Sequence, residues 1–243
     1  MTTVLAGKVI YPLKQAREML HFYREFTAQA ADGLTAYASL VTTPDGVPAA
    51  EITLCYTGSL EEGERHIAAL RKFGSPISDM IHPKPYLKTV SMLRGAPAGR
   101  CYYERSRTLE QLSDEAIDLI VEYGRASTSP FSQVLIQHLH GAASRVHPTA
   151  TAFAQRQASY ILGIFAAWTG DQAQQHIEWT RSFWTAIRQF VSPGVYVNFL
   201  GDEGEERIRA SYGVNYERLV ALKNRYDPTN FFRLNQNIQP TVK

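Results

Sequence analysis

Hydrophobic positions recur with two different periods along the chain, one typical of strands and one of helices. Residues 4–11 are rich in β-branched side chains and end at Pro12, which predicts a strand followed by a helix start. Residues 14–31 carry apolar side chains three and four apart, which predicts an amphipathic helix. By the same criteria, further strands are predicted at 34–43, 49–57, 99–106, 133–140 and 159–168, and further helices at 59–73, 113–123 and 171–190.

Turn and capping residues support these boundaries. Residues 44–48 read Pro-Asp-Gly-Val-Pro between two predicted strands, which favours a hairpin. Ser59 followed by Glu62 forms a capping box at the start of a predicted helix, and Gly74 is a typical residue for its end.

Short hairpins mixed with helices are typical of an α+β fold and not of alternating βαβ units. We expect a large antiparallel sheet with helices packed on one face. The second face has to be covered as well, and the pattern leaves two alternatives open. Either the chain covers that face itself, or a separate domain does.

Composition excludes several classes of function. The 243 residues are 44% hydrophobic and 20% charged, and the net charge is +2. A balance this close to neutral gives no reason to expect nucleic acid as a partner. The longest apolar stretch, residues 160–168, is too short for a membrane helix, and residues 1–11 lack the pattern of a signal peptide. The two cysteines do not form a disulfide framework, so a cytoplasmic protein without a membrane partner is expected.

Several familiar catalytic and binding motifs are missing from the sequence. It contains no glycine-rich phosphate loop, no His-Glu-x-x-His and no Gly-x-Ser-x-Gly. His138 and His140 alternate along a predicted strand and therefore share a face, but no third metal ligand accompanies them. No metal site is predicted.

The C-terminal segment carries the most specific pattern. It is predicted to contain a short strand at 195–199 and helices at 205–212 and 216–225. On that strand, Tyr196 and Asn198 point to the same side. Asn215 is a plausible N-cap of the last helix, which Asp227 and Pro228 end.

This segment resembles the berberine-like C-terminal region of the berberine bridge enzyme family of FAD-linked oxidases. The matching residues are Tyr196-x-Asn198, Tyr212-x-x-Asn215-Tyr216-x-Arg218-Leu219, Lys223, Tyr226-Asp227-Pro228-x-Asn230-x-Phe232 and Gln236-Asn237-Ile238. Looser matches to the substrate domain of the same family occur at 74–79, 85–86, 91–92, 142–146 and 151–153. The resemblance implies a substrate-binding α+β domain at 1–192, with a berberine-like segment at 193–243 packed on it.

The resemblance also implies a function. Family members transfer a hydride from a small-molecule C–H or alcohol to FAD, which a preceding domain binds. This chain begins about where the substrate domain would, so it is expected to be a fragment, a subunit of a split enzyme or a relic that has lost the flavin. Its partner would be an FAD-binding domain supplied in trans, docked on a large exposed apolar surface, or a second copy in a homodimer. The alternative is a flavin-free small-molecule binding protein, or a homodimeric enzyme, that reuses the same pocket.

Individual site residues follow from the resemblance. Tyr196, Asn198, Asn215 and Gln236 are the candidates for contact with the flavin, and Tyr196, Tyr103 and His138 are the candidates for catalysis.

Phe199 departs from the family pattern, because many family oxidases have a tyrosine there that acts as the base. Phenylalanine has no ionisable group, so the base has to come from elsewhere. Tyr37, Tyr102, Tyr103, His138 and His140 all remain open, and a tyrosine base would need Arg105 or Arg145 nearby to lower its pKa. For each of them, an ordinary half-buried position on a strand is the alternative explanation.

Overall fold

An antiparallel sheet of eight strands forms the centre of the protein. In the computed structural model, which describes residues 3–92, 96–156, 159–192, 194–201 and 203–241, its strands are β1 (Thr3–Pro12), β2 (Leu34–Thr42), β3 (Pro48–Tyr56), β4 (Ser78–Asp79), β5 (His82–Pro85), β6 (Cys101–Leu109), β7 (Gln133–His138) and β8 (Tyr160–Trp168). Their order is β4-β1-β3-β2-β7-β8-β6, and β5 also pairs with β1.

Nine α-helices accompany the sheet in the described part of the chain. They are α1 (Ala16–Ala28), α2 (Leu60–His66), α3 (Ala68–Lys72), α4 (Tyr86–Met92), α5 (Asp114–Arg125), α6 (Ala142–Arg145), α7 (Ala173–Ala186), α8 (Glu205–Tyr212) and α9 (Tyr216–Tyr226). Short 3-10 helices lie at Leu13–Gln15, Ile187–Phe190, Val197–Phe199 and Gly213–Asn215. None of the helices described is long and apolar enough to span a bilayer.

One face of the sheet is covered by helices and forms the main hydrophobic core. Side chains alternate between the two faces of a strand, and the strand register places Val9 and Ile52 on this face, as it does Leu162. All three are at most 1% exposed and pack in one cluster with residues of α1, α5 and α7. The predicted α+β class, with helices on one face of a large antiparallel sheet, is confirmed.

The opposite face, which we call the open face, is more polar and only partly covered. The register aligns Lys8 and Thr53 with Tyr37 and Gln137 across four strands of this face. At one side α4 covers β1, β3 and the start of β2, and at the other side residues 194–200 lie against β6 and β8. The strip between these two covers, formed by β2 and β7, is called the trough below.

Most of the predicted elements are present within one to three residues of their expected ends. The hairpin of β2 and β3 and its turn are confirmed, as is the capping box: Ser59 Oγ accepts a hydrogen bond from Glu62 N at 3.2 Å. The helix predicted at 59–73 is divided into α2 and α3 at Ile67, and it ends before Gly74 as expected.

The strand predicted at 195–199 is wrong, because Val197–Phe199 is a turn of 3-10 helix. Its backbone bonds are local, from Phe199 N to Tyr196 O at 2.9 Å and from Leu200 N to Val197 O at 3.1 Å. Edge strand β6 contributes side-chain hydroxyls to this segment in place of a backbone ladder. Four residues of the predicted C-terminal segment, Pro193, Asp202, Val242 and Lys243, lie outside the described residues.

Candidate functional site

The turn at residues 196–200 joins two polar side chains at the wall of the trough. Asn198 Nδ2 donates a hydrogen bond to the phenol oxygen of Tyr196 at 2.6 Å. The Tyr196 ring meets the rings of Phe153 and Phe199 edge to face, each with centroids 5.5 Å apart. Asn198 is exposed and Tyr196 half-buried, so the pair offers polar groups to a ligand from an aromatic support.

Side chains from the sheet hold this turn in place. Thr108 Oγ1 donates to the carbonyl oxygen of Gly194 at 2.6 Å, and Ser106 Oγ donates to that of Phe199 at 3.2 Å. Gln236 Nε2 donates to the carbonyl oxygen of Leu200 from the C-terminal tail. Because hydrogen bonds reach the turn from two directions, the orientation of Tyr196 and Asn198 is determined by the sheet and the tail together.

Phe199 packs on the open face and brings no titratable group to it. Its ring meets that of Phe165 on β8 edge to face, with centroids 6.4 Å apart. Phe165 in turn lies over Gly163, where a Cβ atom would collide with the Phe165 ring. The absence of a side chain at Gly163 therefore permits the aromatic contact that seats the turn.

Glu104 is a half-buried carboxylate beside this aromatic contact. It is the direct β6 partner of Phe165 on β8, and both side chains lie on the open face. Burial raises the pKa of Glu104, and the neighbouring Arg105 opposes that rise. Its carboxylate forms no hydrogen bond or ion pair with any other residue that the structure describes, so no described group competes with a ligand on the open face for it.

The floor of the trough is polar. Gln133 Nε2 on β7 donates to Ser39 Oγ on β2 at 3.1 Å. Next to them on β1 and β3, Lys8 Nζ lies 2.8 Å from a carboxylate oxygen of Glu51. Tyr37 is half-buried, and its pKa is raised by burial and further by Cys55 and Tyr86. Its phenol is therefore protonated at neutral pH and acts as a hydrogen-bond donor.

The structure separates Tyr103 from the turn that carries Tyr196. Tyr103 lies on the helix-covered face, where its hydroxyl accepts a hydrogen bond from Arg181 Nε on α7 at 3.1 Å. Arg105 lies over the same ring, with its guanidinium carbon 4.6 Å from the centroid. Since the sheet stands between the two sites, Tyr103 and Tyr196 do not meet.

His138 also lies on the helix-covered face. Its ring stacks on that of His140, with centroids 4.5 Å apart, so the predicted shared face of these two residues is confirmed. Burial lowers the pKa of His138 to about 4, and His140 contributes to that shift. The His138 ring packs against Tyr160, a core residue, and so it faces away from the trough.

The remaining candidates for contact with the flavin are engaged inside the chain. Asn215 is 4% exposed, and its Nδ2 donates to the carbonyl oxygen of Pro148 at 2.9 Å. Asn215 holds the predicted N-cap position of α9, but its side chain makes no cap hydrogen bond, since a 3-10 turn leads directly into the helix. Gln236 supports Leu200 as described above. Both amides therefore support the C-terminal segment.

Arg145, a predicted partner of a tyrosine base, and Tyr102, a candidate base, are both engaged elsewhere in the chain. Arg145 pairs with Asp32 in an exposed ion pair, and Tyr102 donates to the carbonyl oxygen of Pro97 at 2.7 Å. Lys223, a residue of the family signature, is largely buried between the Asp227 carboxylate at 2.5 Å and the Phe232 carbonyl oxygen at 2.6 Å. The helix ends before Asp227 as predicted, and the Asp227 carboxylate caps the following turn, accepting from Phe231 N at 2.7 Å and from Phe232 N at 3.1 Å.

Two apolar surfaces remain exposed beside the open face. The first is on and before α4, where Ile77, Leu87 and Val90 are 55%, 80% and 46% exposed. The second is the C-terminal tail, where Phe231, Phe232 and Leu234 are each more than 70% exposed. Large apolar side chains left in water at this density are typical of surfaces that another protein layer covers.

Sequence reasoning missed Glu104. It also missed a cavity beneath α4, whose lining includes Tyr37, Lys84 and Thr89. The alternation of β6 placed Glu104 on the same face as Tyr102 and Ser106, and that pattern was the available signal. Within the residues described, no three His, Cys, Asp or Glu side chains are arranged to hold a metal ion.

Comparisons with known proteins identify the C-terminal segment. Residues 195–239 match the family model described as berberine and berberine-like. An FAD-linked oxidoreductase of Dictyostelium discoideum is 28% identical over 98% of this chain and 52% of its own length. An uncharacterized FAD-linked oxidoreductase of Bacillus subtilis is 30% identical over 92% of this chain and 50% of its own. This chain thus spans about half the length of the curated relatives it matches.

Solved structures share the fold. A crystal structure of 6-hydroxy-D-nicotine oxidase from Arthrobacter nicotinovorans aligns with a TM-score of 0.82 at 21% identity, covering 98% of this chain and 55% of the oxidase. A berberine bridge enzyme-like protein of Arabidopsis thaliana aligns with a TM-score of 0.81 at 20% identity, over 98% of this chain and 56% of its own. At this level of identity the match concerns the fold.

Proposed function

We propose, from the premise that this chain belongs to the berberine bridge enzyme-like family of FAD-linked oxidoreductases, that it forms the substrate-binding part of such an enzyme. The reaction is hydride transfer from a C–H bond of a small molecule, such as an alcohol, to the flavin. The observation that carries this proposal is the trough: a polar strip of the open face with the Tyr196–Asn198 pair at its wall and Glu104 beside it.

The residues at the turn fit the polar edge of a flavin ring. Because Asn198 donates to the phenol oxygen of Tyr196, the phenol hydrogen is free to donate outward, and Asn198 itself is exposed. When bound, FAD supplies the acceptor for the hydride. The role of Tyr196 and Asn198 is to hold and orient that ring against the trough.

Glu104 is the residue we assign as the base. Oxidation of an alcohol breaks a C–H bond and an O–H bond, so the hydroxyl proton needs an acceptor as the hydride leaves. Phe199 has no acceptor, and Tyr103 and His138 lie on the other side of the sheet. Tyr37 shares the open face but has a raised pKa, which keeps it protonated. The Glu104 carboxylate, which has no partner among the described residues, fits the requirement best.

Most of the contacts to FAD would come from a domain outside this chain. The relatives are about twice as long, and the two exposed apolar surfaces flank the trough that such a domain would close. We assign those surfaces to the FAD-binding domain, supplied in the same polypeptide or in trans.

The proposal is tested by combining this chain with an FAD-binding domain of the family and recording the visible flavin absorption. We expect this chain alone to remain colourless with added FAD and the combination to form a yellow complex. Adding a panel of small alcohols under anaerobic conditions should bleach the complex with at least one of them. Glu104→Gln should retain the colour but slow bleaching at least ~100-fold, as is typical for loss of a general base.

Glu110→Gln is the matched control, because Glu110 is an exposed glutamate one residue beyond β6, and it should bleach like the unaltered chain. A yellow complex that no alcohol in the panel bleaches would contradict the proposed reaction. Failure of the chain to bind any FAD-binding domain would contradict the proposed partnership. A colourless homodimer that binds small molecules would favour the alternative of a flavin-free binding protein, which the cavity beneath α4 makes a concrete second candidate.

A further inference from the structure

A cavity of about 250 Å³ lies beneath α4, at the end of the trough away from Tyr196. Its floor is formed by β1, β2 and β3, β5 borders it at the edge of the sheet, and α4 closes it from above. The polar groups and the apolar wall that matter for a ligand come from Tyr37, Cys55, Lys84, Tyr86, Thr89 and Val90. Ligand pockets start at about 300 Å³ for drug-sized molecules, so this cavity suits a compound of roughly one ring.

Lys84 gives this cavity an unbalanced positive charge. The residue is only 9% exposed, and among the residues described it forms no hydrogen bond or ion pair. No aspartate or glutamate is among the described residues that line the cavity. An ammonium group in the wall of a cavity that has no carboxylate among its described lining residues attracts an anionic ligand.

Hydroxyl groups without partners accompany the lysine. Thr89 Oγ1 is buried and has no hydrogen-bond partner in the described structure. The Tyr37 phenol is half-buried and also makes no hydrogen bond there. Burial and the neighbouring Cys55 and Tyr86 raise the pKa of Tyr37, so its hydroxyl is a donor at neutral pH. A carboxylate accepts hydrogen bonds through both oxygens and would satisfy donors of this kind together.

The cavity opens toward the trough. Tyr37 belongs to both, because it lines the cavity and stands on β2 next to Gln137 of β7. Neighbouring strands lie about 5 Å apart, so a one-ring molecule anchored under α4 extends over the trough floor. Its far end would then lie between the anchor and the wall formed by the Tyr196–Asn198 pair.

We propose that the cavity beneath α4 binds the carboxylate of a small organic acid through Lys84, Tyr37 and Thr89. The idea that this acid is the substrate of the enzyme rests on the proposed function above. Binding of a carboxylate in the cavity is independent of that function.

The test compares acids with their amides, which have the same shape without the charge. Phenylacetate, mandelate and benzoate are titrated into the protein by calorimetry, each beside its primary amide and without FAD. We expect at least one acid to bind at least tenfold more tightly than its amide. Lys84→Met should abolish that preference, whereas Lys88→Met, an exposed lysine on α4, should leave it unchanged.

Two further variants distinguish a specific loss of acid binding from a folding defect. Lys84→Arg keeps the charge and should keep the preference for acids, and Tyr37→Phe should weaken acid binding about threefold without changing amide binding. Equal binding of acids and amides, or an unchanged preference in Lys84→Met, overturns the proposal. Since no flavin is present, carboxylate binding and flavin-linked turnover succeed or fail separately, and an acid that binds but is never oxidised would refute only its role as substrate.

Discussion

The side-chain amide of Asn198 donates a hydrogen bond to the phenol oxygen of Tyr196 at 2.6 Å, inside a turn that the sheet and the C-terminal tail both hold. Because the two side chains are joined, each depends on the other for its orientation toward the trough. The phenol hydrogen is directed away from Asn198, which sets where Tyr196 can donate.

This coupling predicts strongly non-additive kinetics. In the chain combined with an FAD-binding domain, Asn198→Ala should lower kcat about tenfold, because the phenol loses the group that orients it. Tyr196→Phe should have an effect of the same order, and the double variant should be little worse than either single one. Effects that simply multiply in the double variant would contradict a joint role. Val197→Ala, within the same turn, is the control and should retain activity.

Two buried tyrosines provide a matched test of hydrogen bonding in the core. Both Tyr23 and Tyr11 are 0% exposed. The hydroxyl of Tyr23 reaches the carbonyl oxygens of Ala36 at 2.9 Å and Ile136 at 3.2 Å, linking α1 to β2 and β7. The hydroxyl of Tyr11 has no partner in the described structure.

We therefore expect opposite outcomes from the same substitution. Tyr23→Phe should lower the free energy of unfolding by about 1–2 kcal/mol, because it leaves buried carbonyls with one partner fewer. Tyr11→Phe should be neutral or stabilising, because it removes a buried hydroxyl that has no hydrogen bond. Urea denaturation of both variants decides the matter, and an equal loss of stability in the two would contradict this account.

The sequence predicted the elements better than it predicted the site. Hydrophobic residues recur at regular intervals in α1 and in the β2–β3 hairpin, because each element has one buried side. The sequence therefore predicts both elements. Strand β6 reads Cys-Tyr-Tyr-Glu-Arg-Ser-Arg-Thr-Leu, with polar residues on both faces. Alternation groups Tyr102 with Glu104 and Tyr103 with Arg105, but it does not say which group faces the helices. The strand pattern therefore does not determine on which face of the sheet the candidates Tyr103 and His138 lie.

The strand predicted at 195–199 is wrong for a different reason. Val195–Phe199 has the composition of a strand, and β-propensity depends on the partner that a segment finds. Here the neighbouring strand contributes Ser106 and Thr108 hydroxyls to the carbonyl groups of the segment, so its backbone closes on itself. Contacts of this kind join residues about 90 positions apart, and no local pattern reports them.

The C-terminal segment is fastened to the sheet by a buried carboxylate. The Glu203 side chain is 6% exposed and lies 3.2 Å from Arg207 and 3.9 Å from Arg105. It also interacts with Arg107, whose guanidinium stacks 3.6 Å over the ring of Trp184. Burial and the nearby Arg207 lower the pKa of Arg107 to about 10, and the charge of Glu203 opposes that shift.

Removing this carboxylate should loosen the whole segment. Glu203→Gln removes the negative charge that faces Arg105 and Arg107 on β6, and we expect a loss of about 3 kcal/mol in the free energy of unfolding. Glu206→Gln, an exposed glutamate in the first turn of α8, should cost less than about 1 kcal/mol. Thermal denaturation followed by circular dichroism compares the two variants, and similar melting temperatures for both would show that Glu203 has no such role.

The half-buried imidazole of His138 should make the protein sensitive to mild acid. Burial lowers the pKa of His138 from 6.5 to about 4 in the folded state. Below pH 6.5 the unfolded chain therefore binds a proton at this residue that the folded chain does not bind until the pH approaches 4. The contribution of His138 to stability should therefore be constant above pH 6.5. As the pH drops toward 4 it should fall by about 1–2 kcal/mol, once the partial exposure of the ring is taken into account.

His138→Phe retains an aromatic ring against His140 and Tyr160 and removes the titration, so its stability should fall less over this range. Urea denaturation of both proteins at a series of pH values isolates the effect, because every other titrating group is common to the two. Parallel curves for the variant and the unaltered protein between pH 6.5 and 4 would mean that His138 takes up its proton as readily in the folded state as in the unfolded one.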